Sequence, residues 1–106
     1  MTVTIIIHRT VKDESTAKAL IPLIVQLRSK AMIQPGFLTG QTFSCMDCDG
    51  EYMVISSWNT IEDWNRWMHD EKRQSIQRKV DELLGNKTEY RYYEPVVGGI
   101  IPNYLK

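Results

Sequence analysis

The sequence has no excess of charge of either sign. Its 106 residues include 13 Lys and Arg against 13 Asp and Glu, so the formal net charge at pH 7 is zero. Binding of nucleic acid normally begins with clustered basic side chains that hold the phosphate backbone. A nucleic acid is therefore not expected as a partner.

Long apolar runs are also missing. The N-terminal run ends at Ile7 and lacks the basic segment that opens a signal peptide. No stretch approaches the roughly 20 residues that a helix needs to span a bilayer. These absences predict a cytoplasmic protein that makes no use of a membrane.

Cysteine is scarce, with only Cys45 and Cys48. A bridge across so short a loop contributes about 2 kcal/mol by loop-closure entropy, so disulfides are not expected to hold the fold. The pair lies in a predicted hairpin, away from any helix N-terminus that would stabilise a thiolate. A structural zinc site needs four ligands, which leaves a four-cysteine site shared by two copies as an open alternative.

The composition that remains is typical of one globular domain, with 42% apolar and 25% charged residues. β-branched and alternating segments predict strands over residues 3–9, 37–45, 51–58 and 87–94. Apolar residues at helical spacing predict a helix over 15–33 and a second helical region from 61, interrupted at 69–72 and ended by Gly85. Pro22 predicts a kink in the first helix, or a separate lead-in turn before it.

The order βαββαβ predicts a ferredoxin-like α+β fold, in which helices cover one face of a four-stranded antiparallel sheet. Strands one and three carry bulky apolar residues on both faces, and monomers rarely expose more than a few hundred Å² of such surface. We therefore expect a homodimer that packs sheet against sheet. The domain is expected over residues 1–95, with a tail at 96–106 that packs on its own or the partner subunit.

Three stretches resemble the antibiotic biosynthesis monooxygenase (ABM) domain family: LRSKAMIQPGFLTG at 27–40, YMVISSWNTIEDW at 52–64 and GNKTEYRYYEP at 85–95. The resemblance spans residues 3–95. It implies a dimeric α+β barrel with a pocket between sheet and helices in each subunit. It also implies a small oxygenase that oxidises phenols or quinols without metal or flavin.

The haem-degrading branch of this family resembles the chain at residues 9–21 and 58–67. Transferred residue by residue, its pattern places an Asn at His8, a Trp at Trp67 and the haem-ligating His at Gln77. Only the Trp is retained, and an amide is a poor iron ligand. No cofactor is therefore expected, with haem as the alternative.

Several side chains are candidates for chemistry in that pocket. His8 is assigned to the helix-facing side of the first strand, where an imidazole could act as a general base near neutral pH. Trp67 and Trp58 would form a flat apolar wall, with core packing as the alternative. Arg73 and Gln77 project from one helical face and would orient a substrate oxygen, unless Arg73 forms a surface ion pair with Asp70 or Glu71.

These observations predict a cofactor-independent monooxygenase that acts on a small aromatic or quinol-like molecule, with His8 as the catalytic base. The alternative is a dimer of the same fold that binds a small molecule without catalysis, because fold does not determine function.

Overall fold

Four strands and three helices make up residues 2–96, the part of the chain that the computed structural model describes. In chain order they are β1 (Val3–Thr10), α1 (Glu14–Ala31), β2 (Phe37–Ser44), β3 (Glu51–Trp58), α2 (Ile61–Met68), α3 (Glu71–Leu84) and β4 (Glu89–Tyr93). The ferredoxin-like α+β fold is confirmed, as is the interruption between α2 and α3. No helix in this part has the length and apolar character that a membrane crossing requires.

The strands form one antiparallel sheet in the order β2-β3-β1-β4. Ile5 of β1 pairs with Ser56 of β3 on one side and with Tyr92 of β4 on the other. Because partners in an antiparallel pair point to the same face, this register decides which side chains meet the helices. We call the helix-covered side of the sheet the inner face.

The core lies between the inner face and the helices. The inward residues of β1 alternate strictly with less buried ones, as expected for a strand with one covered face. The buried apolar residues form one cluster, which comprises Val3, Ile5, Ile7, Val11, Leu20, Leu27, Trp58, Trp64, Trp67, Ile76, Val80 and Leu84. A single contiguous core agrees with one domain over the described residues.

Helix α1 begins at a side-chain cap. The carboxylate of Asp13 accepts a hydrogen bond from the backbone N–H of Thr16 at 2.7 Å, which satisfies one of the free donors of the first turn. Pro22 lies inside the helix, so the prediction of a separate lead-in turn is wrong. Its ring is on the exposed side, where the carbonyl that loses its partner can bond to water. A kink at Pro22 stays a prediction.

Strand β2 differs from its predicted alternation. Residues 37, 39, 41, 43 and 45 were expected on one face, but the register shifts between Phe37 and Thr39. Such a bulge places an extra residue in one strand and reverses the faces beyond it. Phe37 therefore shares the inner face with Gly40 and Thr42, and the single-face prediction is wrong. Strand β4 is also shorter than predicted, running from Glu89 to Tyr93.

The opposite side of the sheet, which we call the open face, has no helix over it in the described part of the chain. Its residues include Ile6, Phe43, Met53, Ile55 and Tyr93. Phe43 is 38% and Tyr93 51% exposed. The predicted tail lies almost wholly outside the described residues.

Candidate functional site

A cleft lies between α1 and the inner face of the sheet. It has two adjacent lobes, with volumes of about 60 Å³ and about 230 Å³. Five residues line both lobes, namely Arg9, Ile24, Arg28, Thr42 and Val54. The smaller lobe reaches toward the core, and the larger one follows α1 along the sheet. The cleft has the location that a ligand site between sheet and helices requires.

Aromatic side chains form the wall of the smaller lobe. Trp58, Trp64 and Trp67 all line it and are at most 3% exposed. The rings of Trp58 and Trp64 meet edge to face at 5.7 Å. Trp58 also donates from Nε1 to Ser56 Oγ at 3.2 Å. The predicted wall and the core-packing alternative therefore describe the same side chains, since these rings pack in the core and border the cleft.

Arg73 of α3 is buried beside these rings. It is 2% exposed, and its Cζ lies 5.5 Å from the ring centroids of both Trp64 and Tyr90. Nη2 donates to the Tyr90 hydroxyl at 2.8 Å, while Nη1 is buried and has no hydrogen-bond partner. The surface ion pair considered for Arg73 with Asp70 or Glu71 is wrong, because its guanidinium is buried and donates to Tyr90. Asp70 accepts from the backbone N–H of Arg73 and not from its side chain.

Arg9 of β1 was missed by sequence reasoning. It is 4% exposed, lines both lobes and donates from Nη2 to Gln77 Oε1 at 3.2 Å. Its Nε is buried without a partner. The pKa of Arg9 is lowered to about 10, mainly by desolvation and also by the nearby charge of Arg73, and the side chain is still a cation at neutral pH. An available signal was its position in the alternating set Val3, Ile5, Ile7, Arg9.

Gln77 lies behind Arg9 and is absent from the linings of both lobes. Its Nε2 donates to Asp81 Oδ1 at 2.9 Å and to Thr88 Oγ1 at 2.8 Å. These two bonds turn the amide oxygen toward the guanidinium of Arg9. Gln77 is therefore placed to hold the guanidinium of Arg9, and its predicted direct contact with substrate stays a prediction.

His8 lies on the open face, so its predicted placement toward the helices is wrong. It pairs with Met53 and alternates with the buried residues Ile7 and Arg9. A strand sends successive side chains to opposite faces, and here the helices cover the odd-numbered set. Nε2 of His8 lies 3.4 Å from Glu51 Oε2, outside the cleft.

The cleft carries positive charge without a matching acid. Among the residues that the structure describes, Arg9, Arg28 and Arg73 line its two lobes, and no Asp or Glu does. Two of these cations are buried and keep an unpaired N–H group. A buried donor without a partner costs about 1–3 kcal/mol, so an anionic ligand would satisfy groups that the protein leaves unpaired.

Fold and site together define the class, a ferredoxin-like α+β domain with an aromatic, cationic cleft between sheet and helices. Residues 2–79 match the model of the family described as antibiotic biosynthesis monooxygenase, and the chain belongs to this family. The predicted family is thus confirmed. No curated protein sequence matches the chain.

Solved structures share the fold at low sequence identity. SnoaB, a cofactor-independent oxygenase from Streptomyces nogalater, superposes with a TM-score of 0.78 at 18% identity, covering 90% of this chain and 93% of that one. A conserved protein from Methanosarcina mazei Go1 gives 0.83 at 12% identity, covering 91% and 94%. Rv0793 from Mycobacterium tuberculosis gives 0.80 at 14%, covering 91% and 96%. At these identities the similarity establishes the fold alone.

Proposed function

We propose that this protein is a cofactor-independent monooxygenase whose substrate is a small aromatic or quinol-like molecule that reacts as an anion. The observation that supports this most directly is the pair of buried arginines, Arg9 and Arg73, which line the cleft and each have a buried N–H without a hydrogen-bond partner. Membership of the monooxygenase family and the fold shared with SnoaB agree with it.

The size of the cleft favours a substrate of one or two rings. A dry cavity of about 150 Å³ is enough to bind benzene. The larger lobe, at about 230 Å³, would hold the ring system. The smaller lobe would receive the substrate oxygen, because Arg73 and the three tryptophans line it.

The arginines would favour deprotonation of the substrate, the role that was predicted from the sequence for His8. Two nearby cations stabilise a phenolate or enolate, so a bound phenol loses its proton to water without a side-chain base. The anion then transfers its electrons directly to O₂. For a ring CH₂ group, two hydrogens leave, one atom of O₂ becomes the new carbonyl oxygen, and the other becomes water.

The wall of the cleft would keep bulk water from the reacting anion. Trp58, Trp64 and Trp67 present apolar rings, and exclusion of water strengthens the attraction between the arginines and the anionic oxygen. No cofactor is needed in this scheme, because the substrate is itself the electron donor. Haem is not favoured, since among the described residues Tyr52 is the one side chain lining either lobe that belongs to a type known to ligate haem iron, and no His, Cys or Met does.

The same proposal includes a homodimer formed through the open face. Ile6, Met53 and Ile55 lie side by side on it and would be covered by the sheet of a second copy. Burial of this surface would gain about 25 cal/mol for each Å² of apolar area. The clefts lie on the other side of each sheet and would remain separate.

The second candidate is a binding protein without catalysis. It is favoured by the absence of His, Asp, Glu, Lys and Cys side chains from the cleft lining, as far as residues 2–96 are described. Such a lining binds an anion well, and it leaves the hydroxyl of Tyr52, in the larger lobe, as the general acid–base group within reach of a ligand.

Oxygen uptake by the metal-free protein separates the two candidates. With hydroquinone and 1,4-naphthalenediol, which have one and two rings, and anthrone, which has three, as a panel, we expect uptake with at least one of the first two. Arg73→Leu should lower kcat/KM about 100-fold, as for loss of one charged donor to a developing anion. Arg78→Leu, an exposed arginine of the same helix, should leave kcat/KM unchanged.

Binding without oxygen uptake for every member of the panel would contradict catalysis and support the second candidate. Quenching of tryptophan fluorescence reports that binding, because three tryptophans border the cleft. The same assay on His8→Ala decides the base predicted from the sequence. Unchanged turnover would remove His8 from the reaction.

A further inference from the structure

A cluster of metal-ligating side chains lies at the far end of the open face, apart from the cleft. Cys45 follows β2, Cys48 lies in the loop, and Glu51 begins β3. Their ligand atoms lie within 4.8 Å of one another. His8 comes from the neighbouring strand, and its Nε2 is 3.4 Å from Glu51 Oε2. Two sulfurs and one carboxylate oxygen therefore converge, and the imidazole nitrogen lies beside that oxygen.

The backbone brings these four residues together. Cys45 donates its N–H to the carbonyl of Glu51 at 2.9 Å, which closes the hairpin. Glu51 pairs with Thr10, and His8 pairs with Met53, so Glu51 and His8 share the open face one pleat apart. The N–H of Val11 bonds to the carbonyl of Gly50 at 2.7 Å and holds the loop against the end of β1.

The donor set and spacing suit zinc. Zn²⁺ prefers four tetrahedral N, S and O ligands, and its bond lengths place neighbouring ligand atoms about 3.3–3.8 Å apart. Cys48 Sγ lies 3.3 Å from Glu51 Oε2, and His8 Nε2 lies 3.4 Å from the same oxygen. The side chains of His8 and Glu51 are 35% and 44% exposed, so a cation could enter from solvent.

We propose that Cys45, Cys48, Glu51 and His8 form a zinc site when the two cysteines are reduced. The structure joins Cys45 and Cys48 in a disulfide, and in this form the sulfurs offer no thiolate. Two equivalents of a small-molecule thiol reduce the bridge, giving two cysteine thiols and one external disulfide. Each thiol then loses a proton as its sulfur binds Zn²⁺. The disulfide and the zinc site are mutually exclusive states of one cluster.

Zinc in this position would connect β1 with the β2–β3 hairpin. Because the site forms only in the folded chain, bound metal stabilises the folded state by mass action. Zn²⁺ at 100 times its Kd should raise the Tm of the reduced protein by about 10 °C. The oxidised protein should show no such rise.

The test is a metal titration of the full chain in its two redox states. The protein is reduced, freed of reductant without oxygen, and titrated with Co²⁺ and then with Zn²⁺. We expect one equivalent of metal per chain, with the visible absorption of tetrahedral Co²⁺ and a thiolate charge-transfer band that Zn²⁺ removes. The oxidised protein serves as a folded control of identical sequence, and it should show neither band.

Substitutions identify the two ligands that are not cysteine. His8→Gln and Glu51→Gln should each weaken Co²⁺ binding at least tenfold, whereas Asp49→Asn, in the same loop, should bind as the wild type does. Circular dichroism checks that each variant is folded. Three results would overturn the proposal: no metal bound by the reduced chain, half an equivalent per chain, or unchanged affinity in both glutamine variants. Half an equivalent would indicate a four-cysteine site shared by two copies.

Discussion

At the scale of single residues, two buried arginines of the cleft are expected to lower the stability of the ligand-free protein. Arg9 and Arg73 are buried as cations, and each keeps an N–H without a partner. Their neutral partners, Gln77 and the hydroxyl of Tyr90, offset only part of the cost of removing charge from water. An arrangement that costs stability in the free protein is expected where a bound anion completes it.

Arg9→Met should separate stability from binding. Loss of the buried cation removes its desolvation penalty but leaves Gln77 Oε1 unpaired. Because these effects oppose each other, the free energy of unfolding should either rise or fall by no more than about 1 kcal/mol. Affinity for 4-nitrophenolate should fall at least tenfold, while affinity for nitrobenzene, which has no anionic oxygen, should be unchanged. Urea unfolding and calorimetry measure the two quantities.

Arg9→Lys is the matched control for this experiment, because it keeps the charge and loses the fixed geometry of the guanidinium. It should retain part of the preference for the phenolate. Equal affinities of wild type and Arg9→Met for 4-nitrophenolate would show that Arg9 does not meet the anion.

At the scale of secondary-structure elements, short polar side chains decide where helices start. Asp13, Thr60 and Asp70 each accept a hydrogen bond from a backbone N–H in the first turn of α1, α2 and α3. Gly85 ends α3 with a φ of 70°. Gly36, with a φ of 84°, allows the chain to turn from α1 into β2.

The cap of α1 predicts a dependence of stability on pH. The hydrogen bond from the backbone of Thr16 is the main cause that holds the pKa of Asp13 below its usual value of 3.8. A carboxyl whose pKa is lowered by folding stabilises the protein above its unfolded pKa, and this stabilisation is lost as the pH falls through the folded pKa. Asp13→Asn keeps a capping oxygen without the titration. The Tm advantage of wild type over Asp13→Asn should therefore vanish between about pH 4 and pH 2.

Asp13→Ala is the companion variant for this cap. It removes both the capping bond and the charge, so its Tm should be lower than that of Asp13→Asn at every pH. A Tm difference between wild type and Asp13→Asn that stays constant from neutral to acid pH would contradict the assigned shift.

Two glycines allow a matched test of packing against backbone strain. A Cβ at Gly36 would lie within 2.5 Å of three side-chain atoms of Asp63, whereas a Cβ at Gly85 would meet nothing within 4 Å. Both positions have positive φ. Gly85→Ala should cost about 1 kcal/mol for the left-handed backbone alone, and Gly36→Ala about 2–3 kcal/mol because Asp63 must also move. Urea unfolding of both variants measures the difference, and equal costs would exclude the clash.

At the scale of the whole molecule, the sheet has apolar residues on both faces, and within residues 2–96 helices cover only one of them. The helices bury the odd-numbered residues of β1, and the even-numbered Ile6 stays partly exposed beside Ile55. A contiguous apolar surface on a sheet is the kind of patch that a partner covers. The partner proposed here is a second copy of the chain, since most soluble oligomers are symmetric homo-oligomers.

Ile55→Asp should convert the proposed dimer into monomers. A charge at the centre of the open face would have to be buried without a partner when two sheets meet. Sedimentation at micromolar concentration should give the mass of one chain, against two for the wild type. Ile33→Asp is the control, since Ile33 is 80% exposed and lies after α1, away from the sheet. A wild type that sediments as a stable single subunit would contradict the dimer.

Much of the fold was predictable from local pattern. The order of the elements, the interruption after Met68 and the stop at Gly85 follow from helical spacing and capping residues, which act within one turn of chain. Trp58, Trp67 and Arg73 line the cleft, and their predicted contact with substrate stays a prediction. The bulge after Phe37 was not predictable, because it depends on how β2 pairs with β3.

The sequence by itself determined the ferredoxin-like fold, the family and the aromatic side of the cleft, because periodicity, caps and turns are properties of neighbouring residues. Only the tertiary structure decided which face of β1 meets the helices. Alternation groups His8 with Ile6 and Arg9 with Ile7, but it does not say which group is covered. That choice depends on contacts between distant segments, and it places Arg9 in the cleft and His8 next to Glu51.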